Sequence, residues 1–192
     1  IMALIVISIV VTAVVTLAYA LDTADKFSND TGRMQAQIRF ASMRISELIR
    51  HSRLVCYAGG NDLAVWRADD DKDGQISISE LVYIECGSAQ SYLRICEFPS
   101  SNNTAINIGS IGAFATNWWS AYSDGVNYTS LMPECSNVQF GFDVLPPQSK
   151  FLSISFNVVE NGITRQCQVN ATLRGWAGNL LDGSSNIVSD DD

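Results

Sequence analysis

Twenty residues, Ile1 to Ala20 (IMALIVISIVVTAVVTLAYA), run without a charge, a glycine or a proline. One helical span of a bilayer takes roughly 20 residues. No small-x-small cleavage pattern followed by a break interrupts what comes next, and the chain stays helix-compatible well beyond the run. The first cation, Lys26, lies past it, so the positive-inside rule has nothing to count on the near side. A short basic leader upstream of Ile1 is therefore expected.

The helical pattern predicts one long helix over residues 1–57. Ser28-Asn29-Asp30-Thr31-Gly32 are poor helix formers, which predicts a kink or a short melted stretch. Beyond them Met34, Ile38, Ala41, Ile45, Leu48 and Ser52 recur at spacings of three and four, with Phe40 and Ile49 widening the stripe. That is one face of an amphipathic helix laid on a core. At ~1.5 Å per residue such a helix reaches ~85 Å, longer than a globular domain is wide, so its first half must protrude. Gly59-Gly60-Asn61 is expected to end it.

Strand signals follow. Leu63–Ala68 is a short candidate, and Glu80–Cys86 with Tyr92–Phe98 flank a turn-prone stretch at 87–91. Residues 99–134 are the least regular. Val138, Phe140, Phe142 and Val144 share one face of a strand that Pro146-Pro147 breaks. Leu152, Ile154, Phe156 and Val158 alternate with polar residues, and Asn161-Gly162 is a two-residue hairpin turn. The return strand places Ile163, Arg165, Cys167, Val169, Ala171 and Leu173 on one side. Phe156 then falls opposite Cys167, and Ile154 opposite Val169. The fold class expected is α+β: a long helix covering an antiparallel sheet with one buried face. The divisions are 1–26 (apolar half), 27–57 (amphipathic half), 58–176 (β head) and 177–192 (a polar, acidic, loosely held tail).

A net charge of −8 argues against nucleic acid and against a polybasic grip on anionic lipid. Cys56, Cys86, Cys96, Cys135 and Cys167 lie far apart with no CxxC pair, so zinc spacing is absent. Disulfides are permitted if the head is translocated, with at least one thiol left over and no pairing readable. His51, the single histidine, sits among cations near the helix end and has no nucleophile partner, so no enzyme is expected. Trp118 and Trp119 are adjacent, so both cannot face one core if the segment is extended. One is a candidate surface anchor for a neighbouring subunit or a sugar. Four Asn-x-Ser/Thr matches (Asn29, Asn102, Asn127, Asn170) are weak signals in an Asn/Thr-rich chain.

Residues 69–80 read DDDKDGQISISE. Asp69, Asp71 and Asp73 take the first, third and fifth positions, Gly74 the sixth and Glu80 the twelfth, the pattern of an EF-hand loop. Ca²⁺ takes six to eight hard oxygens. The three Asp side chains converge, Gly74 makes the turn, Gln75 offers a backbone carbonyl, Ser77 a hydroxyl or a bound water, and Glu80 both carboxylate oxygens. The flanks read as strands, so a structural staple is expected rather than a paired switch.

The segment IMALIVISIVVTAV, the run QAQIRFASMRISELIRHSRLVC (35–56) and the closing strand to Thr172-Leu173-Arg174 resemble type IV pilin-class proteins, which include minor pilins and type II secretion pseudopilins. The resemblance implies a subunit of a helical extracellular filament on a bacterial surface. It implies an inner-membrane pool before assembly, and pilus or type II secretion machinery as partner. It implies that Ile1, Met2, Leu4, Ile5, Ile7, Ile9, Val10, Val14 and Leu17 lie in membrane and then in the filament core. Pilins usually begin with an N-methylated Phe and carry an early Glu, whereas this chain has Ile1 and no carboxylate before Asp22. The rival reading is a membrane-anchored, calcium-dependent adhesin acting as a monomer through Trp118, Trp119 and the 99–134 region.

Overall fold

The computed structural model describes residues 2–60, 62–87, 89–112, 125–160 and 162–188, and of Met2 and Leu4 only the backbone. Helix α1 (Met2–His51) leads into β1 (Leu54–Ala58), β2 (Asp62–Trp66), β3 (Leu81–Cys86), β4 (Leu93–Glu97), β5 (Asn127–Met132), β6 (Ser136–Phe142), β7 (Phe151–Glu160) and β8 (Ile163–Thr172). The protein is α+β. Its strands form two antiparallel meanders, β1-β2-β3-β4-β5 and β6-β7-β8, where one sheet was expected.

The helix is continuous through Ser28–Gly32, so the expected melted stretch is absent. Each poor former there costs under about 1 kcal/mol, and long helical segments on both sides propagate through. It stops at His51, six residues short of the expectation, because Leu54–Ala58 pairs with β2 instead. Tertiary partners make the stop. The amides of Arg174 and Ala177 donate to the carbonyls of Arg50 and Arg53, and Ser52 Oγ donates to the Leu48 carbonyl. The returning chain approaches so closely that a side chain at Gly175 would meet the Ser52 carbonyl at 3.4 Å. Gly59 and Gly60 thus follow a strand, and Asn61 lies outside the described residues.

The stripe lands as its spacing requires. Ala41, Ile45, Ile49 and Ser52 are buried, and Met34, Ile38 and Leu48 are partly so. Phe40 is not part of it: a turn of ~100° per residue from Ala41 carries it to the flank, where it is 43 % exposed. The stripe, one face of the five-stranded sheet (Val65, Val82, Ile84, Ile95) and β7–β8 (Ile154, Phe156, Val158, Val169) share one apolar cluster.

The other face of the five-stranded sheet carries a second cluster built on Trp66, Tyr83, Cys96 and Phe98. Both faces are therefore buried, which is why Leu63–Trp66 of β2 and Leu81–Ile84 of β3 read as unbroken apolar runs rather than alternating ones. The residues after Trp176 help cover this second face. Leu180, Leu181 and Ile187 pack on it, and Leu181 bridges Ile187, so the tail is docked through residue 188 rather than loosely held.

The β7–β8 register matches expectation, with Phe156 opposite Cys167 and Ile154 opposite Val169. Glu160 pairs with Ile163 across Gly162, whose φ of 78° suits a residue without a Cβ. Asn161 lies outside the described residues. Only the far half of β8 is covered: Val169, Ala171 and Leu173 are buried, Cys167 is partly exposed, and Arg165 and Ile163 are in solvent. Val144 falls beyond the end of β6 and is exposed. The irregular 99–134 stretch supplies β5, an edge strand.

Candidate functional site

The acidic loop connects β2 to β3. Trp66 pairs with Leu81, and the Arg67 amide donates to the Glu80 carbonyl at 2.9 Å, so the loop is a closed excursion from a hairpin. Its far side is tied down as well. Ile106 N donates to Ile76 O, Ile78 N to Thr104 O and Ser79 N to Asn102 O, while Ile76 and Ile78 insert into the second core. Positive φ at Lys72 (61°) and Gly74 (72°) turns the chain back on itself.

This backbone brings carboxylate oxygens of Asp69, Asp71 and Asp73 within 4.8 Å of one another. Asp71 Oδ1 accepts the Asp73 amide and Asp73 Oδ1 accepts the Gln75 amide, which holds those side chains inward. Asp69 differs from the other two because it is mostly buried. Its Oδ2 accepts from Arg53 at 2.9 Å, while its Oδ1 is buried with no hydrogen-bond partner. Ser77 Oγ is likewise buried and unsatisfied. A buried acceptor without a donor costs on the order of 1–3 kcal/mol. Three like charges so close also repel one another. A hard cation would relieve both penalties, so the donor set fits one.

Glu80 stands apart from this group. It is 2 % exposed, and its carboxylate is taken by three protein donors: Trp66 Nε1 (3.0 Å) and Ser77 N (3.1 Å) on Oε2, and Asp70 N on Oε1 (2.6 Å). The expected two-oxygen grip of Glu80 is not what this geometry holds; the carboxylate instead ties the loop to β2 and to the turn before β3. Trp66 and Arg53 are the residues that sequence reasoning missed. The Arg53 guanidinium stacks 4.8 Å over the Trp66 ring while pairing with Asp69, so the end of α1, β2 and the loop form one unit. Neither has a local signal, since Arg53 reads as one more cation on the helix surface.

The second candidate element is the protruding half of α1. It is long and apolar enough to cross a membrane, and none of that window is buried in the rest of the chain. Ile5, Ile7, Ile9, Val10, Val14 and Leu17 are each at least half exposed. Its hydroxyls are turned inward: Ser8 donates to Ile5 O, Thr12 to Ser8 O, Thr16 to Thr12 O and Thr23 to Tyr19 O. These four hydroxyls are thereby satisfied within the helix, as lipid or a dry helix bundle requires. Asp22 and Lys26 pair at 2.7 Å where the apolar stretch ends.

All five cysteines are thiols in this structure. Burial pushes Cys56 up to about 12 and, with Asp62 nearby, Cys86 up to about 11. Such thiols are rarely ionised at neutral pH, which makes them slow nucleophiles and poor metal ligands. His51 is exposed at the helix end. Ile1, Trp118 and Trp119, and the side chains of Met2 and Leu4, lie outside the described residues. Compared with known proteins, the chain matches no family model, no curated protein and no solved structure.

Proposed function

We propose that this chain is a structural subunit of a helical extracellular filament of the type IV pilus kind. It polymerises through α1 and carries a head stapled by calcium in the 69–80 loop. One observation carries the reading: a single unbroken helix is apolar and uncovered over its first half, yet its second half is built into the core of the head. A helix made only to anchor a domain needs no continuous rigid passage into that domain's core. A subunit that must fix its head relative to a polymer axis does.

The apolar half serves two environments. In the membrane it holds a monomer pool, and in the fibre it packs against the same segment of other copies, where helix contact replaces lipid contact. Pilus or type II secretion machinery is the matching partner for extraction from the inner membrane, and the bacterial surface is the matching location. Catalysis has no part in this reading.

In the loop, Asp69 Oδ1 and the Asp71 and Asp73 carboxylates are the side-chain ligands, with Ser77 reached directly or through water and Gln75 through its carbonyl. Removing residues 1–26 tests the proposal. The head should then stay monomeric after detergent is withdrawn, while the full chain sediments as polymer. A truncated chain that still polymerises, or a full chain that stays monomeric, refutes it.

A further inference from the structure

We propose that Cys86 and Cys135 are joined by a disulfide that clips the β3–β4 turn to the chain leaving β5. The hydrogen bonds of Cys135 bring it against the turn that directly follows Cys86. Cys86 ends β3 and pairs with Leu93 of β4, which in turn pairs with Met132 of β5. Cys135 follows three residues later and folds back over the same turn. Its amide donates to the Ser91 carbonyl at 3.1 Å, and its sulfur lies 3.9 Å from the Gln90 carbonyl. Both side chains belong to the apolar cluster beneath α1. Burial, and after it the charge of Cys86, pushes the Cys135 thiol up to about 11.

The alternatives fail on spacing. A disulfide needs Cα atoms within about 7 Å. Cys56 on β1 and Cys96 on β4 are separated by two intervening strands, about 14 Å. Both also belong to the opposite face of the sheet from Cys86. Cys167 is on β8, two strand spacings or about 10 Å from β6, next to whose first residue Cys135 lies.

The oxidation is an exchange with a disulfide, supplied by a thiol oxidoreductase or oxidised glutathione. The Cys135 thiolate attacks one sulfur of the oxidant and displaces the other as a thiolate. The Cys86 thiolate then attacks the Cys135 sulfur, forming the new S–S bond and releasing the second sulfur. Two S–H bonds are lost from the protein, and two electrons and two protons pass to the oxidant, which leaves as two thiols.

The bridge has a mechanical consequence. Pro133 and Glu134, next to Cys135, line a groove of about 340 Å³ together with Asp30, Arg33 and Met34 of α1. This is where the helix leaves the head, so the clip fixes the corner against which α1 emerges.

The test uses the full chain in detergent, equilibrated with oxidised glutathione, then denatured and alkylated without reduction. Trypsin with a glutamyl endopeptidase cuts at Arg94, Glu97 and Glu134 and so separates Cys86, Cys96 and Cys135 onto different peptides. The expected map has one linked pair, Cys86 with Cys135, and alkylated Cys56, Cys96 and Cys167. In Cys135→Ser, Cys86 should be alkylated in full. Alkylation of both Cys86 and Cys135 in the unaltered chain overturns the proposal. So does a bond from either to another cysteine of the chain.

Discussion

Ile45→Ala, set against Ile9→Ala on the same helix, asks whether α1 belongs to two different environments. Ile45 is 1 % exposed, in contact with the apolar cluster shared by both sheets, whereas Ile9 is 63 % exposed. Truncating Ile45 removes about three methylene equivalents at ~0.8 kcal/mol each, plus a cavity that rigid neighbours fill only in part. The higher helix propensity of alanine returns a few tenths of a kcal/mol. The net loss is about 3–4 kcal/mol, or a fall in Tm of about 6–16 °C for a chain of this size. At Ile9 the head loses no contact, so its stability should move by less than about 0.5 kcal/mol. Differential scanning calorimetry of the full chain in detergent reads both variants, with near-UV circular dichroism following the aromatic side chains of the head. Equal shifts in the two variants refute the division of the helix, as does a loss below about 1 kcal/mol for Ile45→Ala.

Calcium at about 1 mM against a weak extracellular-type site (Kd roughly 10⁻⁴ to 10⁻³ M) should stabilise the head by about 0.4–1.4 kcal/mol, a rise of about 1–6 °C that chelation and Asp71→Ala both abolish. No response to calcium refutes the site. Glu80→Gln should behave differently, costing about 2–4 kcal/mol with chelator already present, because the carboxylate accepts from Trp66, Asp70 and Ser77 without a metal. An unchanged melt in chelator counts against that role. Asp143 accepts from the Ser149 hydroxyl and from the amides of Val144, Phe151 and Lys150, which hold its carboxyl below its ordinary value near 3.8. A depressed folded pKa means this stabilisation is complete above the unfolded value and drains away as pH falls through the folded one. Urea midpoints should therefore drop more steeply below about pH 4 in the unaltered chain than in Asp143→Asn, and parallel curves contradict the assignment.

What the sequence made legible was whatever a local rule determines alone. The Asn161-Gly162 pair predicts one register for β7 and β8, the one these strands have, and only that register puts Phe156 and Val169 on the buried side. The spacing from Met34 to Ser52 likewise selects one helix face. The DDDKDG run forms the carboxylate cluster by alternation and one sharp turn. Elsewhere the deciding partner is distant. Leu54–Ala58 follows the helix with no glycine until Gly59, and what ends the helix is the return of Arg174 and Ala177 over a hundred residues later. β5 is polar because it is an edge, so Asn127–Ser130 give no alternation to read. Glu80 stands at the twelfth loop position, yet Trp66 on β2 helps claim its carboxylate, an arrangement no motif encodes.

Assembly through the apolar half of α1 can be seen by negative-stain electron microscopy of the purified full chain as detergent is withdrawn. Long fibres of uniform diameter are expected, with helical order that places the N-terminal helices along the axis and the heads outside. Dispersed single heads or detergent-free monomers, with no fibre under any condition, contradict it.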